Sequence, residues 1–288
     1  MWFRHSSSIL LGFFFACGLG LGNGLLLAIV PLPAFSQAPA TSLEALPLPQ
    51  VHVLPSALTQ WQESNETGDY FEAVQPTDLG YLIWSRFPVQ VYIEPVREAV
   101  GESSAGTPTS KFETDRAQAW VAAVRQAVQD WSAYLPLEMI DSPDGADIQV
   151  LRRAPPLQTR PESPNSNAPA PLPRIRSAET RYQFFVDRPD GLPERLPRNS
   201  NSPAILSHRF MVYLSANQTA AYTLATARHE LGHALGIWGH SPVETDVLYF
   251  SQVRNPPDIS HRDINTLKRI YQQPTRLGWP MPLGNDPK

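Results

Sequence analysis

Alternating apolar and polar positions mark a set of short strands. Val89, Val91 and Ile93 alternate with Gln90, Tyr92 and Glu94, the period of a strand with one buried face, and Pro95 closes the run. Ala146, Ile148 and Val150 repeat the pattern after the turn Ser142-Pro143-Asp144-Gly145, and Tyr182, Phe184 and Val186 repeat it again. A longer run spans Ile205 to Leu214, with Leu206, His208, Phe210, Val212 and Leu214 on one face and Arg209, Met211 and Tyr213 on the other. Between the strands the period changes. Ala117, Trp120, Val121, Val124, Val128 and Trp131 recur at helical spacing behind a capping box formed by Ser110 and Glu113, and the helix must end before Pro136. Its two tryptophans read as core. A second helix is expected after Asn217 as N-cap, running to Leu235 on strong helix formers such as Ala220, Ala221 and Ala225. A third is capped by Ser260, with Ile264, Leu267, Ile270 and Tyr271 as its stripe and Pro274 as its stop.

Outside these elements proline sets the organisation. Thirty prolines are unevenly placed: those at 31, 33, 39, 47, 49 and 55 mark residues 31–60 as an extended tether, residues 39–80 as a whole read as a proline-rich linker or short pro-segment, and seven more prolines crowd an irregular insertion over 154–177. The tether ends in an acidic stretch with Glu63, Glu66, Asp69 and Glu72. Before it, Arg4 and His5 precede a run from Ile9 to Val30 in which Asn23 is the strongest polar interruption, so residues 1–38 read as an export signal or an N-terminal membrane anchor. The globular domain is then expected over 81–273, followed by a surface tail over 274–288. The chain would be secreted or otherwise extracytoplasmic.

A net charge of −4, with no basic cluster, argues against nucleic acid and against an anionic membrane surface as partners. A hydrophobic fraction of 42% suffices for one core. The single cysteine, Cys17, lies in the N-terminal apolar run, so the folded part has neither a disulfide nor a thiol to place on a metal.

The chemistry is concentrated in His229-Glu230-Leu231-Gly232-His233-Ala234-Leu235-Gly236-Ile237-Trp238-Gly239-His240. On a helix, His229 and His233 stand one turn apart on one face and aim at a common point. Gly236 can take a positive φ, stop the helix and turn the chain back, bringing His240 in as a third ligand. Three nitrogen ligands leave one position of a tetrahedral zinc for water, whose pKa falls to about 7, and Glu230 is placed to take its proton as general base. Chance alone would give His-Glu-x-x-His in roughly one chain of this composition in a hundred, and the added glycine and histidine lower that by two to three orders of magnitude. Should His240 fail to reach, Asp246 is the substitute ligand; His208 is a further metal candidate beside its reading as a strand-surface histidine.

This string resembles the metzincin zinc endopeptidases, matrixins most closely, whose pattern is His-Glu-x-x-His-x-x-Gly-x-x-His. Here three residues, Ile237, Trp238 and Gly239, separate Gly236 from the last histidine where that pattern has two, a longer bend known from the archaemetzincin branch. The resemblance implies an α+β zincin fold: a mixed, mostly parallel sheet with an edge strand at the cleft, a long backing helix, a zinc helix and a C-terminal helix. It places the run 205–214 as the edge strand that pairs with an extended substrate. It also places Ser241 to Tyr249 as the turn beneath the metal, with Leu248 where a methionine is usual and with Leu248 and Tyr249 lining the substrate pocket. The function it implies is a zinc-dependent endopeptidase, acting as a monomer on peptide or protein, with one catalytic zinc. A zinc amidase of cell-wall peptides and a non-catalytic, zinc-braced binding protein remain alternatives. Calcium is possible through Asp187, Asp190 and Glu194, although no calcium-loop pattern is present.

Overall fold

Five strands form one sheet in the order β2-β1-β3-β5-β4. They are β1 (Val89–Ile93), β2 (Leu137–Ile140), β3 (Ile148–Leu151), β4 (Ala178–Asp187) and β5 (Ile205–Leu214). The computed structural model describes residues 46–63, 66–96, 110–156, 176–188 and 203–282. The expected signal or anchor and most of the proline-rich insertion therefore lie outside the described residues, as do Asp190 and Glu194. Within them no helix is long and apolar enough to cross a membrane.

The β1–β2, β1–β3 and β3–β5 pairs are parallel, and β4 runs antiparallel to β5 over ten residues. Helix α2 (Lys111–Ser132) carries the β1-to-β2 crossover and α3 (Ala220–Ala234) follows β5. The two helices pack on each other, α2 also against β1 and β2 and α3 against β4 and β5. Between helices and sheet lies the core, with Val91, Trp120, Val124, Trp131, Ile148, Phe210, Val212 and Leu231 buried. This is an α+β architecture with a mixed, mostly parallel sheet.

The α2 capping box is present: Ser110 Oγ accepts from Glu113 N, and Ser110 N donates to Glu113 Oε2 at 2.9 Å. Strand β2 carries no alternation strong enough to read, because it is short and its edge position leaves Glu138 and Met139 exposed. The cap of α3 is Thr219, not Asn217; Asn217 faces Arg116 Nη2.

Three expectations need correction. Run 205–214 is not the edge strand, since β3 and β4 flank it on both sides; the edge beside α3 is β4. Residues 46–80 are not a free tether, and the folded unit begins well before Tyr81. Helix α1 (Ser56–Gln60) and a 3-10 turn at Phe71–Ala73 belong to this segment, which buries Leu58, Tyr70 and Val74 in the core. Two of its carboxylates, Asp69 and Glu72, pair with Arg269. The described part of the tail, 274–282, is likewise integrated: Leu277 is fully buried, Gly278 N donates to Leu206 O at 2.7 Å, and Trp279 stacks on His52. Asp187, proposed for calcium, pairs with Arg86 at 2.7 Å.

Candidate metal centre

Helix α3 is held in place from several sides before it presents any ligand. Trp131 Nε1 donates to Arg228 O at 2.9 Å, and the Arg228 guanidinium reaches Asp130 at 2.6 Å and Asp258 at 2.7 Å. A side chain at Gly232 would meet Leu248 Cδ2 at 2.6 Å and Trp131 at 3.1 Å, so glycine here lets the helix settle onto both. Two carbonyls at the helix end, which the helix itself cannot satisfy, accept from the Trp84 indole and the Tyr271 hydroxyl. Gly236 then takes φ +127°, and the chain turns back.

That turn brings His229, His233 and His240 together, with one ligand atom from each within 4.8 Å of the others. Ring centroids are 4.7 Å apart for His229 and His233, 4.9 Å for His233 and His240, and 5.2 Å for His229 and His240. Among the described residues this is the cluster suited to a metal. The extra bend residue does not prevent His240 from arriving.

The chemistry of these donors fits a divalent cation. His229 Nδ1 donates to Val247 O and His233 Nδ1 to Ile237 O, each at 2.8 Å. A carbonyl can only accept, so both Nδ1 atoms carry hydrogen, and neutral rings then turn the lone pairs of the two Nε2 atoms toward the centre. Those two atoms lie 3.1 Å apart. The separation is close to the roughly 3.3 Å that two nitrogens about 2.0–2.1 Å from one tetrahedral zinc would have. Facing lone pairs repel unless a cation lies between them. The three histidines are thus compatible with a single zinc and, with this sheet, compatible with a zincin-like fold.

Glu230 is buried beside the cluster but outside it. Its Oε2 accepts from Thr180 Oγ1 at 2.6 Å, the one side-chain donor to this carboxylate among the described residues. Burial raises the proton affinity of this carboxylate, opposed by the Thr180 hydrogen bonds. Thr180 is invisible as a site residue in the sequence. The two-residue period of Tyr182, Phe184 and Val186 extends back to it, but its partner lies 50 residues away.

Asp246 is not a reserve ligand. It is fully buried and accepts from Ser241 Oγ at 2.5 Å, Ser260 Oγ at 2.7 Å and Arg262 Nε at 3.0 Å, so it braces the turn from Ser241 to Tyr249. Asp263, the N3 residue of α4 (His261–Tyr271), is the second brace, accepting from Val247 N at 3.0 Å and Tyr70 OH at 2.5 Å. Val247 thereby links Asp263 to His229. Leu248 is sealed from solvent against Gly232 and supports the helix; it does not line an open pocket. Tyr249 is half-buried against Phe250 and is not in the metal cluster.

His208 is neither a ligand nor on the surface. It is buried, its ring stacks on Trp84 at 4.1 Å, and its Nε2 has no partner among the described residues. Burial lowers its pKa to about 3. Unfolded, it would titrate near 6.5. Between these values the unfolded chain holds one more proton than the folded chain, so stability falls as pH falls, by about 1.4 kcal/mol per unit from this residue. Urea unfolding of chelated His208→Phe between pH 7 and 4 is expected to show a shallower acid loss than the parent. Parallel profiles would show that His208 is not the group responsible.

A comparison with protein-family models finds no match and a comparison with curated proteins finds none either, so the chemistry assigned to this site rests on its own geometry.

Proposed function

We propose that the chain is an exported zinc-dependent endopeptidase of the metzincin type, with His229, His233 and His240 as metal ligands and Glu230 as general base. The observation that carries this reading is the convergence of three imidazoles beside a buried carboxylate that is not itself part of the cluster. A merely structural zinc is ordinarily closed by four protein ligands. When bound, zinc supplies a Lewis acid that polarises a carbonyl and makes an adjacent water acidic. The chain supplies the rest. Val247 O and Ile237 O fix the tautomers and directions of two ligands. Glu230 Oε1 is left to accept a proton from water and return it to the leaving nitrogen. The outer edge of β4 offers backbone donors and acceptors to an extended substrate, a role that belongs to this strand and not to β5.

Metal analysis combined with peptide hydrolysis tests the proposal. About one zinc per chain is expected, with hydrolysis lost on chelation and restored by zinc. Persistent hydrolysis by the metal-free protein would exclude the mechanism. Cleavage of cell-wall peptides but not of proteins would point to an amidase, and a stoichiometric zinc with no hydrolysis to a binding protein.

A further inference from the structure

We propose that Thr180 is a positioning residue for Glu230: its hydroxyl ties one oxygen of the base to β4, the edge strand among the described residues, so the strand that would receive the substrate also aims the proton acceptor. The inference rests on the endopeptidase reading above and deepens it. Thr180 lies on the face of β4 that carries Tyr182, opposite Val212 in the ladder, and its side chain is turned toward α3. On the opposite face Arg181 Nε and Nη2 each donate to Glu179 of the same strand at 3.1 Å.

The hydroxyl carries one hydrogen and has two acceptors within reach, Glu230 Oε2 at 2.6 Å and the Glu230 backbone oxygen at 3.1 Å. The shorter contact to the charged acceptor takes the proton, because a hydrogen bond to an ionised oxygen is the stronger one. Two consequences follow for Glu230. Its carboxylate loses rotational freedom, and Oε2 is occupied, so Oε1 is the oxygen without a side-chain donor among the described residues. Without the hydroxyl the carboxylate keeps only the weaker influence of the Thr180 backbone N–H, which cannot replace the 2.6 Å contact. It would then rotate, and a misplacement of about 1 Å at a reacting group costs on the order of 10²-fold in rate. A substrate strand added to β4 would stiffen the segment that holds Thr180, so docking and alignment of the base share one element.

Zinc-loaded full-length protein and its Thr180→Val and Thr180→Ser variants should be compared on one cleaved fluorogenic peptide, with zinc content measured alongside. Valine keeps the shape and removes the donor; serine keeps the donor. Thr180→Val is expected to lower kcat by about 10- to 100-fold, with KM within about threefold and zinc content unchanged, while Thr180→Ser stays within about threefold of the parent. A valine variant with more than half the parental kcat overturns the proposal, as does a serine variant equally impaired or a valine variant that loses its zinc. A second arm needs no activity: urea unfolding of the metal-free proteins in a double-mutant cycle with Glu230→Ala. Thr180→Val should lower the folding equilibrium constant about 10-fold when Glu230 is present and less than about threefold when it is absent. Equal effects in both backgrounds would show that the contact is not made. Coupling in this cycle together with a parent that cleaves no peptide would instead overturn the endopeptidase reading, and with it the role given to the contact.

Discussion

Glu230→Gln is expected to lower peptide hydrolysis by about 10²- to 10⁴-fold while leaving the zinc content near one per chain. The size follows from what the substitution removes. Glutamine has the shape of glutamate, and its amide oxygen can still accept from Thr180 Oγ1, so the side chain stays where the carboxylate was. It cannot take a proton from water at neutral pH. The metal should be unaffected, because Glu230 lies outside the three-histidine cluster and both ring-orienting contacts, to Val247 O and Ile237 O, are independent of it. A fall in kcat and in kcat/KM by the same factor would place the loss in the transition state and not in binding. Folding should not suffer either, since a neutral amide costs less to bury than an ionised carboxylate. Parental activity in this variant would mean that the proton goes to another group, and the assignment of the base would be lost.

How much of this site the sequence displays depends on the distance over which each contact is made. The ligand spacing and the break at Gly236 are local, within one helix and one turn, and both appear in the structure as read. Helix α2 is legible for the same reason, since its capping box and apolar stripe are properties of consecutive residues. A strand's place in a sheet is not local. The alternation in β5 shows which face is buried, but both flanks of that strand are paired through backbone groups that leave no trace in side-chain pattern. The edge role therefore moved to β4. Prolines mislead over 46–80 because they exclude regular helix and sheet without excluding burial, and Leu58, Tyr70 and Val74 are enough to bind the segment to the core. Asp246 has the chemistry of a ligand and is drawn off by Ser241, Ser260 and Arg262. None of these competitions could be judged before the partners were in place.

The same segment leads to the second large effect, Gly239→Ala, which is expected to weaken zinc binding by about 10- to 100-fold. A Cβ at Gly239 would stand 2.3 Å from Ala73 O, 2.8 Å from Ala73 C and 2.9 Å from Val74 Cα. All three are backbone atoms, so no rotamer change relieves the clash. Nor is the opposing backbone free to retreat. Ala73 N and Val74 N bond to Tyr70 O and Phe71 O at 2.9 Å, Tyr70 is anchored to Asp263 and Thr266, and Gln75 N donates to Trp238 O at 3.0 Å. The bend must move, and the next residue along it is His240. Overpacking of this kind also costs about 1–3 kcal/mol in stability, measurable by urea unfolding of the chelated protein. Zinc affinity, read by competition with a chromogenic chelator, isolates the effect on the ligand. His240→Ala should weaken zinc binding in its own right, and once His240 is gone the alanine at 239 should change zinc affinity little further, because both act on one contact. A full additional loss in the double variant would show that Gly239 acts on the metal by another route, and unchanged affinity in both single variants would remove His240 from the site.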